Sequence, residues 1–312
     1  MKKSFAAATP GKGKLRVNRD LLFYILLLAF PLAQFCIFYI GVNFNSFLLA
    51  FQTYNTQTSS FVWDAGANFS QLWRELTSSS MLLDMLKNSL IAWVFSSLLG
   101  TVGAVFFSYY IFKKFPCKNV FRVILFLPSV LPGILLVMLF QTFGNEAIPA
   151  YIDALFGTEI EGLFLNADMR LIMVIVYSVW IGFGTQVLIY TGSMEQISPS
   201  VTEAAKLDGA KPLRELWSVV IPEVMPAINT FLVTGIAQIF INQVNLWSFF
   251  GETVPYQEMT LGYYMFYLVN RENAGTKLYY YGYASALGLI CTFIAIPLTY
   301  VVRHFLGKLE DK

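Results

Sequence analysis

Charge is what this sequence has least of. Its 312 residues include 21 Lys and Arg, 19 Asp and Glu and a single His, so that 13% of the chain is charged, about half the usual share of a globular protein. So few charges cannot solvate the outside of a soluble protein of this length, and that class is excluded. Cysteine is scarce as well: Cys36, Cys117 and Cys291 are too few for a disulfide framework. One histidine, His304, with scattered thiols gives no metal constellation. No Gly-x-x-x-x-Gly-Lys-Ser/Thr stretch occurs, so the chain has no such cradle for nucleotide phosphates. The net charge of +2 is uninformative as a sum, and no feature points to nucleic acid as a partner.

What the chain has instead is apolar length. It is 56% hydrophobic and 17% aromatic. Six runs reach the length of about 20 apolar residues that a helix needs to cross a bilayer: Leu21–Val42, Leu90–Phe112, Val123–Phe143, Leu171–Gly192, Val224–Phe250 and Tyr281–Val302. The runs are continuous, where a barrel strand alternates over about ten residues, and lipid admits only helices or closed barrels. The sequence therefore predicts an all-α integral membrane protein of six transmembrane helices. Lys12, Lys14, Arg16 and Arg19 precede the first run, as basic residues precede a signal sequence. That run is longer than the roughly 7–15 residues of a signal h-region, and Gly41-Val42-Asn43 is no small-x-small cleavage site. An uncleaved first helix is expected.

Lys and Arg fix the orientation of such a chain. With the N-terminus inside, sixteen of the 21 fall on the inner side and only Arg74, Lys87, Arg170, Arg271 and Lys277 on the outer. Both termini are expected in the cytoplasm of a cell-membrane protein: a basic tail over 1–20, a six-helix domain over 21–305 with its core from about 85, and a short tail over 306–312. None of the six runs holds an Asp, Glu, Lys, Arg or His. Proton-coupled carriers and voltage sensors need ionisable groups inside the membrane, so this bundle moves something uncharged, or nothing, and energy for pumping has to come from elsewhere. Paired carboxylates and nucleophile–base pairs are missing from the runs too, and no catalysis is predicted.

The segment 193–223 is the most informative. Ser198-Pro199 reads as a helix N-cap with proline in the first turn, and Val201–Asp208 continues that helix to Gly209, a glycine stop. A second short helix is expected over Lys211–Val220, ended by Pro222 and Pro226, which open the fifth span. The bland reading is an amphipathic hairpin lying on the membrane. Against it, Ala204 and Ala205 stand side by side where a lipid-facing helix would use Leu or Phe, and Glu203 and Asp208 offer charge to a partner.

The string Glu203-Ala-Ala-Lys-Leu-Asp-Gly-Ala210, followed by Ile221-Pro222 and Pro226, resembles the Glu-Ala-Ala loop of permease subunits of binding-protein-dependent ABC importers. Ile221 stands where Leu is usual and Leu216 where Phe is common; both keep apolar volume. Phe61-Val62, Asn68-Phe69, Asn88-Ser89, Trp180–Phe183 and Tyr281–Ala286 are similar to the carbohydrate branch of that family, of the maltose and multiple-sugar type, over most of residues 60–305. The resemblance implies a type I importer fold and a coupling helix in which Glu203, Ala204, Ala205, Asp208, Gly209 and Ala210 contact or shape an interface with a cytoplasmic ATPase. It implies a second homologous permease subunit, two ATPase subunits holding ATP and Mg, an extracytoplasmic sugar-binding protein, surrounding membrane lipid, and no cofactor bound by this chain.

Gly235, Gln238, Asn242 and Asn245 are spaced to share one face of a helical fifth span. Ser178, Gly182 and Thr185, with Gln186 beside them, form a parallel stripe on the fourth. One reading is interhelical hydrogen bonding and close packing. The other is a wet pathway in which amides bind sugar hydroxyls while Trp247 or Tyr177 stacks on a sugar ring. Leu261–Tyr267 and Tyr279–Tyr281 read as an interfacial aromatic belt, or as a docking surface for the binding protein. An importer permease for another solute and a stand-alone facilitator of neutral solutes remain the alternatives.

Overall fold

The structure, a computed structural model, describes residues 19–271 and 274–310. Of the expected tails, residues 1–18 and 311–312 lie outside the described residues. The chain divides into one unit ending at Leu48 and another running from Leu49. The first is helical from Arg19, with a π-helical stretch over Phe35–Gly41 between Arg19–Gln34 and Val42–Leu49. Its candidate span, Leu22–Leu49, extends past the expected end at Val42.

The second unit supplies five more helices long and apolar enough to cross a membrane: Met81–Phe112, Gly133–Phe156, Ala167–Met194, Pro212–Gln238 and Leu278–Lys308, the last within a helix Ala274–Glu310. Six spans were expected and six are found; every one has different bounds, and two, the third and the fifth, are shifted along the chain. Val123–Phe143 straddles a break. Helix Lys118–Val130 stops at Leu131, which is extended (ψ 150°), and a new helix starts at Gly133. Pro132 is the cause, because its ring drives the preceding residue out of the helical region. The continuous third span is Gly133–Phe156, which contains Glu146 and Asp153, so the expectation of uncharged spans fails there. In the other longer helices of this unit most added charges, such as Asp84, Lys87, Asp168, Arg170, Arg214, Glu215 and Arg303, lie toward the ends, while Glu223 falls near the middle of Pro212–Gln238.

The fifth span differs in both directions. The expected stop before it does not occur: Pro212–Glu215, a π-helical turn over Leu216–Val220 and Ile221–Gln238 follow without interruption. A proline removes one helical hydrogen bond and crowds the carbonyl four residues back, and the wider turn ahead of Pro222 gives that ring room. At its other end the helix stops at Gln238, where continuation to Phe250 was expected, and a short helix resumes only at Leu246–Phe250.

Two packed regions occupy this unit. One gathers Tyr177, Tyr263, Tyr283, Leu246 and Met259 around the first turns of the second span; the other gathers Tyr190, Met194, Leu216 and Val220 around its last turns, at Ala104, Val105, Tyr109 and Ile111. A small antiparallel hairpin, Gln52–Asn55 with Ser60–Trp63, was not foreseen in an all-α reading. Asn68 fastens the adjoining helix by donating to the carbonyls of Ala50 and Gln52 at 3.0 and 2.9 Å. The aromatic segment Leu261–Tyr267 is core where a belt was expected, with Tyr263 and Tyr264 buried. Burial pushes the Tyr263 hydroxyl up to about 12, so it keeps its proton and donates to the Gly251 carbonyl at 2.5 Å.

Candidate functional site

Two features of this frame have the chemistry of sites. The first is the loop between the fourth and fifth spans. Pro199–Leu207 is a helix with Ser198 in the N-cap position, although the Ser198 hydroxyl pairs with that of Ser200 at 2.8 Å and caps no backbone N–H. The other end closes as a Schellman motif: Ala210 N–H donates to Ala205 O and Gly209 N–H to Lys206 O, each at 3.0 Å. Gly209 has φ +72°, a left-handed conformation that suits a residue without Cβ. Glu203, Ala204, Asp208 and Gly209 are exposed, Ala205 faces inward and is buried, and Ala210 is half-buried. Leu207, Leu213 and Trp217 expose 89%, 64% and 61% of their surface next to them, giving the loop an apolar as well as a charged face.

Behind that face the loop is anchored. Glu215 is buried, and Lys113 Nζ lies 2.9 and 2.7 Å from its two carboxylate oxygens. The Tyr109 hydroxyl lies 3.1 Å from Glu215 Oε2 and 3.0 Å from the Pro212 carbonyl. These three residues were not singled out from the sequence, because they pair across more than a hundred positions and neither partner belongs to a local motif.

The second feature is a cavity of about 300 Å³ beside the interruption of the fifth span. Trp93, Ser96, Ser97 and Thr101 of the second span line one side; Gln186 of the fourth, Gly235 and Gln238 of the fifth and Asn242 beyond its end supply other polar or close-packed parts of the wall. The described lining includes no charged side chain. Two polar atoms here are buried without a hydrogen-bond partner among the described residues: the donor Trp93 Nε1 and the acceptor Gln186 Oε1. Native proteins rarely leave such groups unpaired. A hydroxyl, which both donates and accepts, is one functional group that can satisfy either.

The interruption shapes that cavity. Val244 and Asn245 take positive φ (52° and 59°), and the Asn242 side chain accepts from Val244 N–H at 2.8 Å. Thr260 Oγ1 donates to the Asn242 carbonyl at 3.1 Å, replacing a helical bond that is lost. Gly262 lets the chain come close: a Cβ there would stand 2.4 Å from the Ile241 carbonyl carbon. Hence the four fifth-span residues do not share one helical face. Gly235, Gln238 and Asn242 meet at the cavity, whereas Asn245 turns to donate to Ser178 Oγ at 3.1 Å. Ser178 in turn donates to the Val174 carbonyl at 2.9 Å. Gly182 is half-buried, Thr185 is exposed, and neither lines the cavity. Tyr177 is 1% exposed and packed on Phe140, Trp180 and Phe249, so it presents no face to a solute. Trp247 packs on Phe266 and Tyr263. The polar stripe of the second span was missed; serines at 89, 96 and 97 with Thr101, all within thirteen residues of one apolar helix, were its signal.

Residues 96–311 match the family model of binding-protein-dependent transport system inner membrane components. The multiple sugar-binding transport system permease protein MsmF of Streptococcus mutans is 27% identical over 196 residues, 62% of this chain and 65% of its own length. The maltose/maltodextrin permease protein MalF of Vibrio vulnificus is 24% identical over 61% of this chain and 37% of its own. The galactooligosaccharides permease protein GanP of Bacillus subtilis is 26% identical over 61% of this chain and 47% of its own. The matched region thus spans less than two thirds of each of these relatives. In three dimensions the chain is similar to one from a bacterial ABC transporter involved in import of the acidic polysaccharide alginate, with TM-score 0.77 and 18% identity, covering 93% of this chain and 96% of that one. At that identity the likeness is one of fold.

Proposed function

Since this chain belongs to the family of binding-protein-dependent transport system inner membrane components, and is a multi-pass protein of the inner membrane, we propose that it is the permease subunit of an ATP-driven carbohydrate importer. In this reading it forms half of the translocation pathway with a second, homologous six-span subunit. Two cytoplasmic ATPases hold ATP and Mg, and an extracytoplasmic binding protein delivers sugar. Both termini and the 193–223 loop lie in the cytoplasm, consistent with the distribution of Lys and Arg.

The observation that carries the reading is the exposed, glycine-ended helix Pro199–Leu207, with Glu203, Ala204 and Asp208 turned outward beside the apolar Leu207 and Leu213. Small side chains admit another protein's backbone, and the carboxylates suit its Lys or Arg. ATP binding closes the ATPases, the helix is displaced as a rigid body, and the spans switch from inward- to outward-facing. The cavity supports a neutral oligosaccharide as cargo. Its amides, hydroxyls and unpaired indole match sugar hydroxyls, and its described lining offers no cation to a uronate carboxylate. A volume of about 300 Å³ is at the lower end of small-molecule pockets, about 300–1,000 Å³, and fits half of a site shared with a partner subunit.

The test is purification of the complex through a tag on this chain. The ATPase subunits should accompany the parent protein and be lost from Glu203→Arg and Gly209→Pro while the membrane domain stays folded. Proteoliposomes of the complex should then take up neutral oligosaccharides in an ATP-dependent manner and reject alginate oligomers. Transport by the isolated chain without ATP would establish the facilitator instead.

A further inference from the structure

We propose that Glu215, Lys113 and Tyr109 form the joint through which the 193–223 loop drives the second span, and so the wall of the cavity. The inference rests on the importer reading and adds to it a path for the motion. The loop helix Pro199–Leu207 makes its Schellman turn at Gly209 and passes directly into the helix that begins at Pro212. In the first turn of that helix Glu215 is 2% exposed and its carboxylate accepts from Lys113 with both oxygens. Lys113 is the residue that ends Met81–Phe112, and Tyr109 sits one turn before it. Tyr109 also reaches the Pro212 carbonyl, so its hydroxyl spans the side chain and the backbone of the loop. Leu216 and Val220, fully buried, pack with Val105 and Tyr109 below the charges.

The helix gripped at Lys113 is the one that presents Trp93, Ser96, Ser97 and Thr101 to the cavity. Met81–Phe112 contains no proline, and at about 1.5 Å per residue the joint stands about 18–30 Å from those side chains along one rod. A buried ion pair is poor evidence for stability as such, since apolar residues of similar volume often serve as well. What it supplies is a fixed register, because a carboxylate engaged by a lysine and a phenol resists sliding in any direction. Displacement of the loop is therefore passed to the second span as a rigid movement.

The experiment uses the complex purified with its ATPase subunits, in a background with Cys36, Cys117 and Cys291 replaced by serine or alanine. Ser97→Cys reports on the cavity through its rate of labelling by a water-soluble maleimide, with and without ATP and vanadate. In the parent complex, nucleotide should change that rate. In Glu215→Gln and in the paired Glu215→Leu/Lys113→Leu, the ATPases should remain bound and hydrolyse ATP while the nucleotide-dependent change is lost. The exchange Glu215→Lys/Lys113→Glu should restore part of it. A nucleotide effect that persists at full size in the folded double-leucine variant would overturn the joint. Absence of any nucleotide effect in the parent would instead count against the importer reading.

Discussion

Two of the places where the second span meets polar chemistry are opposites. At its Lys113 end a buried carboxylate and phenol meet a half-buried ammonium, and all three are engaged with one another. Between Trp93 and Thr101 the groups are neutral, and an indole N–H and an amide oxygen are buried with nothing to bind. Saturated polar clusters rigidify a structure, while unsaturated ones carry a free-energy penalty of about 1–3 kcal/mol per group. The first arrangement is what a mechanical joint needs. The second makes sense only if something else completes it.

The largest expected effect tests the saturated end. Glu215→Leu alone leaves the half-buried Lys113 without its counter-ion, a change whose upper bound, for a fully buried partner, is about 3–5 kcal/mol. It should lower the thermal midpoint of the detergent-solubilised protein sharply, with the loss recovered when Lys113→Leu is added. If the single and double variants unfold at the same temperature, the pair is not the closed unit described above, and the contrast with the cavity disappears.

The unsaturated region should respond in the reverse sense. Gln186→Leu and Trp93→Phe remove unpaired polar atoms, so stability should stay level or rise. Sugar interaction should weaken by about 1–3 kcal/mol per lost partner, which is about 5- to 150-fold in affinity. The measurements are thermal unfolding without sugar, and the concentration dependence of uptake by the complex for a neutral oligosaccharide. A fall in stability with unchanged uptake would mean that these atoms have protein partners and that the cavity is ordinary packing.

How far the sequence discloses these regions follows from the range of the interactions involved. The loop was legible because its determinants are local: proline in the first turn, Gly209 two residues past the last helical one, and a spacing to Pro222 and Pro226 that belongs to one segment. The spans were legible as apolar runs, and the break at Pro132 could have been read from the rule for residues that precede proline. The interruption after Gln238 could not. Residues 239–245 contain neither proline nor glycine, and the backbone leaves the helix there because Thr260 and Gly262, some twenty positions on, supply a hydrogen bond and a close approach. Helical periodicity therefore grouped Asn242 and Asn245 although the chain separates them. The Glu215–Lys113 pair is likewise non-local, and so is the meeting of Trp93 and Gln186 at one cavity, so residue spacing could reveal neither.

The smallest effect concerns Ser178 and Asn245, whose side chains were expected beside Gln238 and Asn242 and instead bond to each other across the interruption. Interhelical hydrogen bonds inside membranes average only about 0.6 kcal/mol, because the separated helices find other partners. Ser178→Ala should therefore shift the unfolding midpoint barely at all. It removes no group from the cavity wall, so the sugar dependence of uptake should match that of the parent. A large loss of sugar affinity in Ser178→Ala would show that the pathway extends past the interruption toward the fourth span. The boundary drawn here between groups that hold the protein together and groups that await a ligand would then lie on the far side of Asn245.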